Sequence, residues 1–357
     1  MQIGRKQAGC QTSAKSPPPF LGGYGKLRMD KAGAVVQYTR VFMKQNVLVL
    51  MRWVCVLTVL PGMVWLTGCA SVGDHSASTT ARTATTPLPL MKNYTLGYHT
   101  PTDPTLQSKV EAVDATLRRR HGMGPADTAV GVLDLNHHRL AMIHPDREDY
   151  GASVPKIGIL LAYFQLHPEA ASHLDPTTKH ELGLMAKASN NEMASKFSHQ
   201  MGLKQIQKVI NSYDLYNTNH GGGIWVGKHY GKDSERIGDP IGNNSHAATV
   251  RQLLRFYVML EQGKLVSPQA SKVMMEIFAS PDIPHDDIKF VKGLHGRDVK
   301  ILRKWGSWEN WYHDTADVTG PGRHYIIVGM TKHQNGDAYL VDLARAVDEL
   351  MLEGARK

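Results

Sequence analysis

From residue 102 onward, the hydrophobic positions recur at regular spacings. Leu106, Val110, Val113 and Leu117 lie three or four residues apart and predict one face of an amphipathic helix. Further helices are predicted at 153–166, 178–187, 191–201, 203–212, 247–262 and 267–279. A last helix is predicted from a single apolar stripe made of Leu340, Leu343, Ala344, Val347, Leu350 and Met351.

Short apolar runs predict strands at both ends of this region. The runs at 129–135 and 139–143 enclose Asn136-His137-His138 and predict a β-hairpin, and three more strands are predicted at 299–307, 311–318 and 324–331. Because strands and helices do not alternate, the order argues against a doubly wound parallel sheet. It predicts an α/β fold of the α+β type, with one antiparallel sheet of about five strands, flanking N- and C-terminal helices, and an all-helical lobe. A cleft between lobe and sheet is the default place for a site.

An apolar run near the N-terminus has the features of an export signal. Residues 53–66 are too short for a transmembrane helix, follow Lys44 and Arg52, and end in Leu66-Thr67-Gly68-Cys69, which resembles a bacterial lipobox. An ordinary signal peptide or a buried core segment would give a similar run, but the small residues and the cysteine favour a lipoprotein. The resemblance implies that Cys69 is lipidated and that the protein is anchored through it. Ala70, rather than Asp, follows the cysteine, which resembles the signal for the periplasmic face of the outer membrane.

These features divide the chain into four parts. Residues 1–42 fit no part of a signal peptide, so we interpret them as a non-native or disordered extension, and residues 43–68 as the lipoprotein signal peptide. Residues 69–101 are predicted to form a flexible tether, because Ala, Ser and Thr dominate 70–90 and cannot bury enough apolar area to order it. Residues 102–357 are predicted to form the folded domain.

Charge and cysteine content exclude several classes of function. The formal net charge is +9, but residues 1–69 carry +8 of it, so the body is nearly neutral and no nucleic-acid partner is expected. The three cysteines, Cys10, Cys55 and Cys69, all lie in this leader, which excludes an internal disulfide or a cysteine-based zinc site in the body. The 18 histidines form no His-Glu-x-x-His string and no tight cluster with a carboxylate at helical spacing, so no metal and no cofactor are expected.

Ser153-Val154-Pro155-Lys156 is the first candidate for chemistry. A serine and a lysine three residues apart share a helix face, and an amine with a lowered pKa can activate the hydroxyl as a nucleophile. At a helix N-terminus, the backbone N–H groups also stabilise negative charge. The same residues could simply be an N-cap serine followed by a solvated lysine.

Two further short strings complete the candidate set. Ser189-Asn190-Asn191 lies between two predicted helices, where the side chains could either point into a cleft or cap the next helix. Lys304-Trp305-Gly306-Ser307 lies on a predicted strand, where alternation places Lys304 and Gly306 on one face. A glycine at this position allows a ligand to approach the backbone.

The order Ser-x-x-Lys, Ser-x-Asn and Lys-x-Gly resembles the penicillin-binding protein and serine β-lactamase superfamily, most of all the class A β-lactamases. The resemblance extends over residues 102–357. It implies that Ser153 is the acylated nucleophile, Lys156 a candidate general base and Ser189 a proton shuttle. It also implies that Asn191 holds the substrate amide and Lys304 attracts the substrate carboxylate. Backbone N–H groups of Ser153 and Ser307, the latter next to Gly306, would form the oxyanion hole.

The sequence also departs from the family pattern. Asn190 replaces an aspartate, Trp305 replaces a threonine or serine, and the interval between Ser153 and Ser189 is short. The Ω-loop lacks the Glu-x-x-Leu-Asn string that supplies the deacylating base, and the equivalent place falls in 223–226. Farther along the same loop lie Glu235 and Asp239, and Asp239 matches the family's structural aspartate, not its base.

The resemblance therefore implies a serine hydrolase that forms an acyl-enzyme on β-lactams or on D-Ala peptides of the cell wall. The alternative is a catalytically weak or inactive penicillin- or cell-wall-binding lipoprotein, which Trp305 and the missing glutamate favour. A metal hydrolase built from the histidines is a third, weaker hypothesis. The expected partners are a β-lactam or peptidoglycan-derived substrate and a membrane reached by the lipid anchor, and the protein is expected to be a monomer.

Overall fold

A computed structural model describes residues 91–355, which form nine α-helices and ten strands. The helices are α1 (Pro104–His121), α2 (Lys156–Leu166), α3 (Pro176–Ala186), α4 (Asn191–Met201), α5 (Leu203–Ser212), α6 (Val250–Glu261), α7 (Pro268–Ala279), α8 (Lys289–Gly293) and α9 (Gly336–Ala355). The strands are β1 (Thr128–Asp134), β2 (Arg139–Ile143), β3 (Asp149–Tyr150), β4 (Tyr216–Asn217), β5 (Gly222–Gly223), β6 (Trp225–Val226), β7 (His246–Ala248), β8 (Lys300–Trp308), β9 (Trp311–Gly320) and β10 (Arg323–Lys332).

Five strands form one sheet in the order β2-β1-β10-β9-β8, and every neighbouring pair is antiparallel. The first two strands of the sheet therefore pair with the last three, although the helical lobe separates them in sequence. This arrangement confirms the predicted mixed α/β fold with a five-stranded antiparallel sheet.

Helices cover both faces of the sheet, which explains why β1 is buried along its whole length. Alternate residues of β10 pack on opposite sides, since Ile326 and Val328 join the core of the helical lobe whereas Tyr325 and Ile327 join the core formed with α1 and α9. The sheet therefore separates two hydrophobic cores.

The helix predicted at 153–166 begins three residues later than predicted. Ser153, Val154 and Pro155 form a turn, and α2 begins at Lys156 with Pro155 as its N-cap residue. The backbone of a residue that precedes proline is disfavoured in the helical region, which explains why the regular helix starts only after Pro155. The nucleophile candidate thus lies in the turn that leads into the helix.

Packing on the body begins before the predicted boundary at residue 102. Leu96 is 3% exposed and belongs to the core of the helical lobe. The side chain of Gln262 donates a hydrogen bond of 2.6 Å to the carbonyl oxygen of Tyr94. The last residues assigned to the tether therefore pack on the folded body, through Leu96 in the core and through the contact between Tyr94 and the end of α6. The composition of residues 70–90 did not suggest this packing.

The extension at 1–42, the predicted signal peptide at 43–68, Cys69 and most of the tether lie outside the described residues. Within 91–355, no helix combines the length and the apolar character that crossing a bilayer requires.

Candidate active site

A strained turn presents Ser153 at the junction of the sheet and the helical lobe. Ala152 has φ of +47°, in the left-handed region that residues with a side chain rarely adopt. The backbone N–H of Val154 donates to the carbonyl oxygen of Gly151 at 3.0 Å, and the hydroxyl of Tyr230 donates to the carbonyl oxygen of Ala152 at 3.2 Å. The turn is thus held from both sides, and Ser153 remains partly exposed.

Lys156 is a fully buried amine that contacts the second motif. Its Nζ donates to the carbonyl oxygen of Ser189 at 2.5 Å and to Oδ1 of Asn191 at 2.7 Å, and it lies 3.5 Å from Oγ of Ser189. The ring of Tyr230 covers it, with 4.5 Å between Nζ and the ring centroid. Burial lowers the pKa of Lys156 to about 7, so a large fraction of this lysine is neutral at neutral pH.

Lys304 approaches Ser189 from the sheet. Its Nζ donates to Oγ of Ser189 at 2.8 Å and to the carbonyl oxygen of Trp305 at 2.7 Å. Its pKa is well below the ordinary value, chiefly because Lys304 is fully buried and also because Lys156 and Arg303 are close. The hydroxyl of Ser189 therefore lies between two amines, and the backbone of Ser189 has a positive φ of +59°.

Gly306 lets strand β8 approach the turn that carries Ser153. A Cβ atom at Gly306 would lie 2.7 Å from the backbone nitrogen of Ser153 and 3.0 Å from that of Val154. Any side chain at this position would displace the turn. The sequence suggested that this glycine admits a ligand; in the structure it also admits the backbone of the nucleophile candidate, next to the backbone of Ser307.

Sequence reasoning missed Lys289, which lies behind this strand. Its Nζ is fully buried, donates to Oγ of Ser307 at 2.7 Å, and lies 4.6 Å from the ring centroid of Trp305. Burial lowers the pKa of Lys289 to about 8. Lys289 begins α8, a five-residue helix too short to give a periodic hydrophobic signal.

The segment from 217 to 245 places no carboxylate at the amines. Trp225, in the region aligned with the deacylating base, is buried as part of β6, and its Nε1 donates to the carbonyl oxygen of Ile237 at 2.9 Å. Glu235 is 60% exposed and lies 3.4 Å from Nε2 of His229, so the structure does not bring it to Lys156. Among residues 91–355, the hydrogen-bond partners of Lys156 and Lys304 are hydroxyl, amide and carbonyl oxygens.

Asp239 organises the end of the same segment. Its carboxylate accepts hydrogen bonds from the backbone N–H groups of Ile241 at 2.8 Å, of Gly242 at 2.7 Å and of Asn244. Glu148 lies beside it, and burial together with the neighbouring Asp239 raises the pKa of Glu148 to about 8. These contacts fit a structural carboxylate, because its oxygens are used by the loop backbone.

The structure thus gathers Ser153, Lys156, Ser189, Lys304 and Gly306 around one junction between the sheet and an all-helical lobe. Asn191 is exposed, but its Oδ1 accepts a hydrogen bond from Lys156. Ser307 follows Gly306 on β8, and its hydroxyl accepts a hydrogen bond from Lys289. A fold and a cluster of this kind define a β-lactamase-like protein.

Comparison with known proteins gives the family. The beta-lactamase enzyme family matches residues 166–350, more than half of the chain, and the chain belongs to this family. The match begins after Ser153 and Lys156, so the placement of these two residues rests on the structure. No protein with a curated description matches the chain.

Solved structures of the same architecture agree on the fold. PBP-A superimposes with a TM-score of 0.56 at 17% identity, over 71% of this chain and 99% of its own. A beta-lactamase from Sphaerobacter thermophilus gives 0.53 at 15% identity, over 68% of this chain and 97% of its own. A class A beta-lactamase from Mycobacterium abscessus gives 0.54 at 14% identity, over 68% and 98%. At these identities the likeness establishes the fold.

Proposed function

We propose that the protein is a serine hydrolase that forms an acyl-enzyme at Ser153, on β-lactams or on related D-Ala peptides of the cell wall. The observation that carries the proposal is the buried chain of polar groups from Lys156 through Ser189 to Lys304. A lone capping serine with a solvated lysine would not explain it, because Lys156 is fully buried and its pKa is lowered to about 7.

In this proposal each group has one task. Neutral Lys156 accepts the hydroxyl proton of Ser153 as the oxygen attacks the amide carbon. Ser189 delivers a proton to the leaving nitrogen, and the backbone N–H groups of Ser153 and Ser307 stabilise the developing oxyanion. An incoming substrate carboxylate favours the charged form of Lys304, whose pKa is low in the free protein because of its burial.

Release of the acyl group is the slow step of the proposed cycle. Hydrolysis of the ester needs an activated water, for which a positioned carboxylate is a common base. The described residues place no carboxylate beside Lys156 or Ser189, and Tyr230 covers the lysine instead. We therefore expect fast acylation and slow deacylation, with Lys156 as the base for both. In a related structure, a mutant of PBP-A is an acyl-enzyme complex with penicillin G.

The alternative is a cell-wall-binding lipoprotein with little or no catalysis. Trp305 supports it, because this residue stands where the resemblance places a hydroxyl for the substrate carboxylate. Its indole Nε1 is buried without a hydrogen-bond partner, whereas Lys289 covers the ring.

Incubation of the purified protein with a fluorescent penicillin, followed by mass spectrometry, separates these functions. A stable adduct on Ser153 that is absent from Ser153→Ala supports the acyl-enzyme with slow release. Rapid turnover of the β-lactam without an adduct supports an efficient β-lactamase. If the protein forms no adduct and does not turn over the β-lactam, the result contradicts the hydrolase and favours the binding protein.

We also propose that the protein is anchored by a lipid at Cys69 on the periplasmic face of the outer membrane and that it acts there as a monomer. The support for the anchor and its location comes from the sequence, namely the apolar run that ends in Leu66-Thr67-Gly68-Cys69 and the Ala70 that follows it.

A further inference from the structure

Three side chains from three elements meet on the lobe side of the sheet, away from Ser153. Glu261 is the last residue of α6, Asp317 lies on β9 and His324 on β10. Nε2 of His324 lies 3.0 Å from Oδ1 of Asp317 and 4.0 Å from Oε2 of Glu261. One possible ligand atom from each residue lies within 4.8 Å of the other two.

The cluster is buried, and in the described part of the chain its two carboxyl groups share a single basic partner. Asp317 is 1% exposed, and its Oδ2 is buried without a hydrogen-bond partner. The side chains of Glu261 and His324 are 17% and 16% exposed. Within residues 91–355, His324 is the only basic side chain that forms an ion pair with either carboxylate. An oxygen buried in this way is costly unless a proton or a cation satisfies it.

The spacing matches the requirements of a small metal ion. A tetrahedral zinc site with bonds of about 2.0–2.2 Å places its ligand atoms roughly 3.3–3.6 Å apart. The two distances from His324, 3.0 and 4.0 Å, bracket this value, so shifts of the ligand atoms by about half an ångström would bring the His324 nitrogen to tetrahedral spacing from both carboxylates. One imidazole and two carboxylates are ligands of zinc and its neighbours, whereas magnesium and calcium prefer oxygen alone.

We propose that Glu261, Asp317 and His324 bind a divalent transition-metal ion such as Zn²⁺, with water in the remaining position. The sequence predicted no metal site because these possible ligands do not lie close together in the chain. Glu261 and Asp317 are 56 positions apart in the sequence, and only the fold brings them together.

The proposed ion is structural and clamps the helical lobe to the sheet. One turn before Glu261 on α6, the hydroxyl of Tyr257 hydrogen-bonds Oγ1 of Thr315 at 2.8 Å. The hydroxyl of Thr315 donates in turn to the carbonyl oxygen of Lys304 at 2.8 Å. A metal ion that fixes the end of α6 on β9 and β10 would therefore hold the layer that supports Lys304, without contacting the reacting atoms.

The competing occupant of the cluster is a proton. Burial and the neighbouring Asp317 raise the pKa of Glu261 above its ordinary value, as expected when two carboxyl groups share a buried place. A proton would satisfy one oxygen but would give no preference for one metal ion over another. Metal binding therefore distinguishes the two.

The test uses the full chain, freed of metal by a chelator, with ZnCl₂ as the probe. Isothermal titration should give one equivalent of tight binding, and the melting temperature should rise by about 5–10 °C at a hundredfold excess over Kd. MgCl₂ should produce no comparable shift. Glu261→Gln, Asp317→Asn and His324→Gln should each lose the tight equivalent and most of the shift.

His295→Gln is the matched control, because His295 also lies 2.7 Å from a carboxylate, that of Asp287, on the exposed surface without a third ligand. This variant should bind zinc as the unaltered chain does. Absence of a tight equivalent in the unaltered chain would overturn the proposal, and so would tight binding that persists in Glu261→Gln. If Asp317→Asn or His324→Gln fails to fold, anomalous diffraction from zinc-soaked crystals of the unaltered protein provides the test. A peak at the cluster supports the site, and peaks found only at other places contradict it.

Discussion

At the scale of single residues, the protonation of Lys156 controls the proposed chemistry. Its pKa of about 7 means that the fraction of neutral base increases with pH up to that value and then becomes constant. The rate of Ser153 acylation should therefore rise about tenfold per pH unit below the pKa and level off above it. Stopped-flow measurement with a fluorescent penicillin between pH 5 and 9 checks this profile.

Lys156→Arg should lower the acylation rate by about 10²–10⁴ at pH 7.5, because a guanidinium remains charged and cannot accept the proton. Lys332→Arg, an exposed change on β10, is the control and should leave the rate unchanged. An acylation rate that does not depend on pH would show that another group is the base.

Trp305 is the second residue with a specific expectation. Trp305→Thr should increase acylation by penicillins that carry a carboxylate by about two- to tenfold, since the new hydroxyl can donate one hydrogen bond to that group. Trp308→Thr, on the same strand and 59% exposed, is the matched control. Equal rates for Trp305→Thr and the unaltered protein would mean that position 305 does not contact the carboxylate.

At the scale of elements, the loop between 217 and 245 is where a base for the proposed deacylation is expected. Glu235 lies at His229 and is largely exposed, so Glu235→Gln should leave steady-state turnover within about threefold, less than the typical effect of losing a general base. A burst followed by a slow steady rate is expected for both proteins. A collapse of turnover in Glu235→Gln with intact acylation would identify Glu235 as the deacylating base.

Glu148 links this loop to the stretch before α2, and it makes stability depend on pH. Its pKa is raised from 4.5 to about 8, so the folded state holds a proton that the unfolded state releases. The stability from this proton is fully present below about pH 4.5 and is lost as pH rises through about 8. In Glu148→Gln, the side-chain amide can still donate a hydrogen bond to Asp239 but has no proton to lose in this pH range.

Melting temperatures measured between pH 4.5 and 9 should therefore fall less steeply in Glu148→Gln than in the unaltered protein, with a difference of a few degrees at the upper end. Glu353→Gln, at a side chain 61% exposed, is the control and should follow the unaltered protein. Parallel curves for all three proteins would place the proton elsewhere.

At the scale of the whole molecule, the proposed lipid at Cys69 should determine whether the protein fractionates with membranes. Cys69→Ala should move the protein from the membrane fraction to the soluble periplasmic fraction, because the lipid chain supplies the membrane affinity in the proposal. Ser153→Ala, which leaves the leader untouched, should stay with the membranes. Membrane association of Cys69→Ala that equals that of the unaltered protein would contradict lipidation at this residue.

The sequence predicted the fold well because the periodic signals were long and local. Helices such as α5 and α6 show a clear spacing of hydrophobic residues, whereas α2 is apolar on nearly all sides and α8 has only five residues. Ser153 and Lys156 could be proposed from the sequence because they lie only three residues apart. Lys289, the cluster at Glu261 and the burial of Leu96 were missed, since each depends on contacts between positions far apart in the chain, which no local pattern encodes.

The pairing of β1 with β10 has a consequence for biosynthesis. Residues 128–134 pair on one side with β2, but on the other side their partners are residues 325–331, which follow the whole helical lobe in the chain. A nascent chain that has already emerged with Ser153 and Lys156 still lacks Lys304, Gly306 and the central strand of the sheet. If the proposed reaction is correct, a chain truncated before β8 would carry Ser153 and Lys156 but would not be acylated by a substrate, because Lys304 and Gly306 would be missing.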